Sequence, residues 1–195
     1  MTSELTSRDR QLLQAFRWLN RYMLLHWRLG LGPYANRREL SGQIMVLVHV
    51  GRKTGRIRRT PVNYVILDGD VYCTAGFGAA ADWYRNLLVN PQVEVWLPHG
   101  WWAGQAEDVS DSPERLALLR QVLIASGFAA RAAGLDPMRM SDEALDAASR
   151  SYRLVRIRRT QALTGPGGPG DLAWVWPAAT ALLLGLLLLP RCRRR

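Results

Sequence analysis

The chain has 195 residues, of which 48% are hydrophobic, and it carries a formal net charge of +10. The hydrophobic fraction argues against disorder, and the length predicts one domain with a moderate core. The basic excess favours an anionic partner: a membrane surface, a nucleic acid or an acidic cofactor.

The cysteines and histidines argue against a disulfide framework and against a metal site. These residues are far apart in sequence and lack the spacing of metal ligands. They are Cys73, Cys192, His26, His49 and His99. The first ten residues are polar, and no secretory signal follows them. We therefore expect no bound metal and a cytoplasmic location for the soluble part of the protein.

A helix is predicted from Thr6 or Ser7 to about Leu29, because either residue can cap it and apolar residues recur at helical spacing. Its apolar surface is wide and aromatic, and several arginines lie between the apolar positions. Such a helix usually packs on its own domain. Binding to an anionic membrane surface is the alternative.

Two apolar runs, residues 44–50 and 61–67, are predicted strands that enclose a strongly basic segment. We call residues 51–59 the basic turn, because they contain five cationic side chains: Arg52, Lys53, Arg56, Arg58 and Arg59. Two glycines offer backbone N–H groups there, while arginine and lysine supply charge-assisted hydrogen bonds. The turn therefore suits a phosphorylated or carboxylated small molecule, and a solvated hairpin tip is the alternative.

Short strands and turns follow along the central region. The pattern predicts an Asp-Gly hairpin turn at residues 68–70 and a bend at residues 76–78. Predicted strands lie at residues 71–75, 93–97, 101–109 and 152–158, and predicted helices lie at residues 80–89 and, with breaks at Gly127 and Gly134, at residues 112–150.

Six short strands with few helices between them predict an α+β, mainly β fold. We expect a small antiparallel barrel of about six strands with flanking helices. A parallel sheet is disfavoured, because most connections between strands are too short to hold a crossover helix.

The C-terminal region combines a flexible composition with an apolar run. Residues 164–170 are rich in glycine and proline and predict a linker with few core contacts. Residues 172–190 are uncharged, and as a helix they would span roughly 28 Å, close to the hydrocarbon thickness of a bilayer. Trp174 and Trp176 lie at one end of this run and arginines at the other. A membrane segment is predicted; a buried core helix and a shallow or re-entrant segment are the alternatives.

These patterns divide the chain into four parts. Residues 1–40 form an N-terminal amphipathic helix with its connection, and residues 41–160 form a barrel that binds a cofactor. Residues 161–171 are a Gly/Pro linker, and residues 172–195 are a C-terminal membrane segment with an arginine tail.

Two motifs in the central block carry a resemblance to a known family. Residues 51–61 read Gly-Arg-Lys-Thr-Gly-x-x-Arg-x-x-Pro, and residues 83–87 read Trp-Tyr-x-Asn-Leu with an Asn-Pro exit at residues 90–91. In this order and spacing they resemble the deazaflavin-dependent nitroreductases and quinone reductases, which have an FMN-binding-like split β-barrel. The resemblance covers residues 43–109 and extends more weakly to residue 158.

The resemblance implies a bound deazaflavin, coenzyme F-420, whose reduced form gives a hydride to an organic acceptor. Carried over residue by residue, Lys53 and Arg58 would grip the coenzyme's phosphate. By the same resemblance, Arg52 and Thr54 would shape the turn. The tricyclic ring would be bordered on one side by Pro61, Ala75, Gly76 and Phe77. Its other side would be closed by Trp83 and Asn86. No catalytic residue is implied, since hydride transfer needs a positioned, water-poor ring more than a protein nucleophile.

The chain departs from the family pattern at two places. Some members carry Ser-Lys where this chain has Gly76-Phe77, and the C-terminal tyrosine cluster of the nitroreductases has no counterpart at residues 131–148. Substrate preference is therefore not implied by the resemblance.

Together these features predict a membrane-tethered oxidoreductase that passes a hydride from reduced coenzyme F-420 to a quinone-like, nitro or other lipophilic acceptor. The alternatives are the same fold with FMN, and a non-catalytic tethered module that binds a cofactor or an anionic lipid. A nucleic-acid partner is not expected, because no recognition helix or interleaved stacking strand is evident. The sequence leaves the oligomeric state and the physiological acceptor open.

Overall fold

The computed structural model describes residues 7–36 and 42–188, and its centre is a closed six-stranded barrel. Neighbouring strands are all antiparallel, in the order β1-β2-β3-β6-β5-β4. The strands are β1 Ile44–Val50, β2 Ile57–Leu67, β3 Asp70–Ala75, β4 Gln92–Leu97, β5 Gly100–Asp108 and β6 Arg153–Leu163. The predicted antiparallel barrel is confirmed.

Helices flank the barrel within the described residues. They are α1 Ser7–Arg28, α2 Gly32–Ala35, α3 Asp82–Val89, α4 Arg115–Ala125, α5 Phe128–Ala132, α6 Asp142–Ser149 and α7 Val175–Leu188. The predicted breaks between α4, α5 and α6 occur at Gly127 and Gly134, which both have positive φ. The alternative start of α1 at Thr6 lies outside the described residues.

Two strands are longer than the apolar pattern predicts. β2 begins at Ile57 because its polar first residues pair with β1, with Arg58 opposite His49. β6 continues to Leu163, which lies opposite Trp101 of β5. The last three residues of β6 therefore belong to the barrel, although their composition had placed them in the linker.

The barrel interior is apolar, and α3 closes one of its ends. Strand residues alternate between the two faces, and those facing inward form a buried cluster that includes Met45, Val71 and Ile157. Tyr84 and Leu87 of α3 belong to the same cluster. The barrel end under α3 is the end that carries the basic turn, because Asn86 of α3 hydrogen-bonds to that turn.

The outer faces of the barrel are covered by other helices. Trp27 of α1 is buried against Val46, Val48 and Trp96. On the opposite side, α4 packs on β2 and β6 through a cluster of buried residues: Val65, Val122, Ala125 and Leu154.

The segment that follows β6 makes more contacts than its glycine-proline composition indicates. The backbone N–H groups of Gly170 and Leu172 donate to the carbonyls of Trp27 and Arg28, at 3.0 and 2.8 Å. Asp171 accepts two hydrogen bonds of 2.9 Å from the Arg28 guanidinium. The expectation of few contacts fails here, because the last carbonyls of α1 have no partner within their own helix and this segment supplies the donors.

The apolar run at residues 172–190 forms a shorter helix than predicted. Its first residues are turns fixed to α1, so α7 begins only at Val175 and has 14 residues, with Pro177 in its first turn. Residues 189–195 lie outside the described part. Among the described residues, no helix reaches the combination of length and hydrophobicity that a membrane crossing needs.

Candidate functional site

The site predicted from sequence lies at the barrel end closed by α3. Three segments meet there: the basic turn between β1 and β2, the end of β3 with the bend at residues 76–78 that follows it, and α3 itself. Most of the predicted residues lie on these segments. Pro61 differs, because Val62 and Tyr64 face the interior and strand alternation therefore places Pro61 on the outer face of β2.

The conformation of the basic turn depends on its glycines. Gly51 donates its N–H to the Arg56 carbonyl at 2.9 Å, and Gly55 donates to the Gly51 carbonyl at 2.8 Å. Gly55 has φ +65°, and a Cβ at Gly51 would lie 3.2 Å from Thr54 Oγ1 and 3.3 Å from the Arg56 carbonyl oxygen. A side chain at either position would strain the turn. Thr54 also accepts from the Arg56 N–H at 3.4 Å, in line with a turn-shaping role.

The five cations of the basic turn divide into three groups. Arg52 is bound to α3, and Arg59 lies on the outer face of the barrel. The side chains of Lys53, Arg56 and Arg58 are exposed, and they make no hydrogen bond or ion pair with any described residue. These three side chains are the cations available to an anionic ligand.

Arg52 connects the turn to the first turns of α3. Its guanidinium donates to the Asp82 carboxylate and to Asn86 Oδ1, each at 2.9 Å. Its backbone N–H also donates to Asn86 Oδ1, at 3.1 Å. The Arg52 side chain is only 18% exposed, so the turn is attached to α3 through a largely covered arginine.

His49 extends this network under α3. Its Nδ1 lies 3.2 Å from Asn86 Nδ2, and its Nε2 lies 3.1 Å from Thr60 Oγ1 on β2. The pKa of His49 is lowered to about 4, chiefly by burial; the Val50 backbone acts in the opposite direction, and the Arg58 charge adds to the decrease. His49 is therefore neutral at pH 7.

Arg59 is separated from the other cations by strand alternation. Its guanidinium carbon lies 5.4 Å from the centre of the Trp96 ring, an arrangement suited to a cation–π interaction. It also donates to the Gly167 carbonyl at 3.5 Å. Arg59 thus holds the C-terminal segment on the barrel, whereas its neighbour Arg58 faces the other way.

The predicted border of the ring is a small surface of mixed burial. Ala75 is buried in the barrel core, Gly76 and Phe77 are exposed, and Trp83 is half-buried. A Cβ at Gly76 would lie 3.7 Å from the Tyr152 ring. Phe77 and Trp83 thus offer aromatic surface beside the free cations, next to backbone that carries no bulky side chain.

Tyr84 contributes to a second polar cluster under α3. Its hydroxyl donates to the Asp108 carboxylate, which also accepts from the Ser110 N–H at 3.0 Å. Burial, followed by Asp108, raises the pKa of Tyr84 to about 12. Tyr84 and Asp108 line a cavity of about 170 Å³, which none of the predicted cofactor residues lines.

Sequence reasoning missed His49 and Thr60 and left Tyr84 unassigned. The missing signal was the register of β1: Met45 and Leu47 face inward, so His49 at the next alternate position faces inward too. A histidine at the inner end of an apolar strand needs polar partners. Thr60 is one of these partners of His49. It was not predictable, because the predicted strand began at residue 61, whereas β2 begins at Ile57.

Comparison with known proteins places this site in context. The family model for F420H(2)-dependent quinone reductase matches residues 32–140, more than half of the chain. Among solved structures, the chain is similar to a putative pyridoxamine 5'-phosphate oxidase from Listeria innocua, at 12% identity, 62% coverage of this chain, 86% coverage of that one and a TM-score of 0.44. It is also similar to an F420 reductase, at 14% identity, 62% and 88% coverage and a TM-score of 0.43.

Proposed function

Since this chain belongs to the F420H(2)-dependent quinone reductase family, and is therefore an oxidoreductase that uses coenzyme F-420, we propose that it reduces a quinone-like or other lipophilic acceptor at a membrane surface. The observation that carries the proposal is the set of three exposed cations on the basic turn, Lys53, Arg56 and Arg58, which have no hydrogen-bond or ion-pair partner among the described residues. They share one end of the barrel with Phe77, which is exposed, and Trp83, which is half-buried.

The residues present fit the coenzyme. Its tail is polyanionic, and Lys53, Arg56 and Arg58 are exposed, without partners among the described residues. The backbone at Gly51 and Gly55 allows close approach of a phosphate. A conventional flavin mononucleotide, with one phosphate, would need fewer cations.

The chain's own residues bind and orient; no nucleophile is required of them. Lys53 and Arg58 would hold the phosphate by charge-assisted hydrogen bonds. Phe77 and Trp83 would border the ring and exclude water from it. When bound, the reduced coenzyme supplies a hydride, and with one proton this completes the two-electron reduction of a quinone to a quinol.

The lipophilic acceptor is supported by the surface of α7. Its large apolar side chains are exposed, with Trp176 at 48%, Leu182 at 66% and Leu188 at 80%. An exposed apolar helix of this kind marks a surface that contacts a membrane or a partner. Attachment to a bilayer would raise the effective concentration of the site towards acceptors dissolved in lipid.

Fluorescence titration of the purified protein with coenzyme F-420 and with FMN tests the cofactor. We expect coenzyme F-420 to bind at least tenfold more tightly than FMN, because the unpaired cations match its longer anionic tail. Turnover of the reduced coenzyme with a short-chain quinone, followed by absorbance, then tests the reaction. Tighter binding of FMN, or coenzyme binding without any quinone reduction, would contradict the proposal.

A further inference from the structure

A continuous chain of hydrogen bonds runs beneath α3, from the basic turn to β2. It links Arg52 to Asn86, Asn86 to His49, and His49 to Thr60. His49 is 3% exposed and Asn86 is 5% exposed. Buried polar side chains are stable only when their hydrogen bonds are satisfied. The arrangement of donors and acceptors in this hydrogen-bond network is therefore fixed.

The direction of each hydrogen bond follows from Arg52. Its backbone N–H and its guanidinium can only donate, and both point at Asn86 Oδ1. The Asn86 amide nitrogen must then face His49 Nδ1, which has to accept. The single proton of the neutral imidazole therefore lies on Nε2 and is donated to Thr60 Oγ1.

A proton on His49 Nδ1 would face the amide hydrogens of Asn86, so the hydrogen bond between these two side chains would be lost. Burial of the ring and the nearby Arg58 charge disfavour a second proton, so the ring is neutral and carries one proton at pH 7. The hydrogen-bond pattern then places that proton on Nε2.

Arg52 is not available to a ligand. Its guanidinium donates to Asn86 Oδ1, to the Asp82 carboxylate and to the Asp82 carbonyl, at 2.9, 2.9 and 3.3 Å. Although it lies within the basic turn, this arginine joins the turn to the helix that carries Trp83.

We propose that His49 and Asn86 are positioning residues of the coenzyme site, which act by holding Arg52 on α3. This inference rests on the proposed function. The network fixes the Gly51–Gly55 backbone relative to α3, so that the phosphate-binding cations and the aromatic border of the ring keep one mutual geometry. Asn86 thereby acts through Arg52, and not as the direct contact to the ring that the family resemblance implies.

A double-mutant cycle on the full chain separates these two roles, with coenzyme F-420 binding as the readout. We expect Arg52→Ala and Asn86→Ala each to weaken binding about tenfold, and the double variant to bind no worse than the weaker single variant. Effects that multiply to about a hundredfold would show that Asn86 contacts the coenzyme independently, and would overturn the proposal.

Conservative replacement at His49 provides a matched pair. Gln has a carbonyl that can accept from Asn86 and an amide that can donate to Thr60, whereas Leu has neither. We expect His49→Gln to bind the coenzyme within about threefold of wild type and His49→Leu to lose about tenfold. Equal losses in both variants would contradict a role that depends on hydrogen bonding.

Nitrogen NMR of the histidine side chains tests the network without any coenzyme. The chain has three histidines, which makes assignment by single substitution feasible. We expect His49 to be neutral at pH 7 with its proton on Nε2. In Asn86→Asp, a carboxylate replaces the amide donor, so Nδ1 should become protonated. A wild-type Nδ1–H tautomer, or an unchanged spectrum in Asn86→Asp, would overturn the proposal. Because this measurement uses no coenzyme, such a result is distinguishable from a failure of the proposed function, which would appear as a loss of coenzyme F-420 binding in the wild type.

Discussion

Adjacent residues of the same type have different roles at this site because a strand alternates its faces. Arg58 is exposed at the α3 end of the barrel, whereas Arg59 lies over Trp96 and donates to the Gly167 carbonyl. Arg52 is used internally, by Asp82 and Asn86. The cations of the basic turn are thus divided between exposed side chains and side chains with partners inside the protein.

This division gives the first prediction. Lys53→Ala and Arg58→Ala should each weaken binding of coenzyme F-420 by about 1–3 kcal/mol, the range for loss of a charge-assisted hydrogen bond. Arg59→Ala is the matched control, because it removes an identical charge one position away on the other face. Isothermal titration of the three variants measures the effect. Equal losses in all three would indicate only a general attraction of anions to positive charge.

The second prediction concerns acid stability. Because the pKa of His49 is lowered to about 4 by burial, the unfolded chain binds more protons than the native state between pH 6.5 and 4. The free energy of unfolding should therefore be unaffected by this group above pH 6.5 and should fall as pH drops towards 4, by up to about 1.4 kcal/mol per pH unit. Urea unfolding of wild type and His49→Gln from pH 7 to pH 4.5 measures the free energy of unfolding of wild type relative to the variant, which should fall as the pH drops. A constant difference across this range would contradict a buried neutral histidine.

Strands and turns could be predicted from the sequence where the residues of one short segment determine them. Contacts between distant segments could not be predicted in this way. β1 follows from its apolar run, and the β2–β3 turn follows from Asp68 and Gly69, which take positive φ. The inward position of His49 and the early start of β2 depend on pairing between strands. No local pattern reports that pairing.

The same distinction applies to the site. The two motifs predicted that the basic turn and α3 lie together, and the hydrogen bonds between Arg52 and Asn86 place them in contact. Which cations remain free was not predictable, since it depends on partners from distant parts of the chain, such as Gly167 for Arg59.

The C-terminal segment and α1 form a joint that sequence composition does not indicate. Gly170 and Leu172 donate to the last two carbonyls of α1, and the Trp176 indole donates to the Leu29 carbonyl directly after it. Asp171 pairs with Arg28. Gly168 is buried, and a Cβ there would lie 2.5 Å from the Trp101 ring. This joint gives a fixed base to α7.

The third prediction compares two truncations that differ only in this joint. A chain that ends at Pro177 keeps all of these contacts, and it should unfold at the same denaturant concentration as the full chain. A chain that ends at Thr164 loses them, and its free energy of unfolding should fall by roughly 2–4 kcal/mol, the sum expected for several partly exposed hydrogen bonds. Equal stability of the two chains would mean that the joint contributes little.

For the molecule as a whole, the proposed function separates a binding domain from its attachment. The barrel end under α3 carries the residues proposed to bind the coenzyme, whereas α7 follows the segment attached to the C-terminal end of α1 and contributes none of them. Chemistry and attachment should therefore respond to different changes in the protein.

The fourth prediction tests this independence. The chain ending at Pro177 should reduce a short-chain, water-soluble quinone at about the rate of the full chain, because the site is intact. It should lose rate with a long-tailed quinone carried in liposomes, since it no longer remains at the lipid surface. Steady-state rates with both acceptors, for both chains, provide the measurement. A parallel loss with both quinones would place α7 in the chemistry and not in attachment.

The strand order has a consequence for how the protein is made. Among the described strands β6 comes last in the chain, yet it lies between β3 and β5, with Cys73 opposite Val155 and Ala106 opposite Ile157. A nascent chain therefore leaves the ribosome with two open sheet edges until residue 163 has emerged, and such edges recruit other strands. The match to the family model, residues 32–140, ends before β6. The edges of β3 and β5 are therefore the places where an incomplete chain is most prone to pair with other strands.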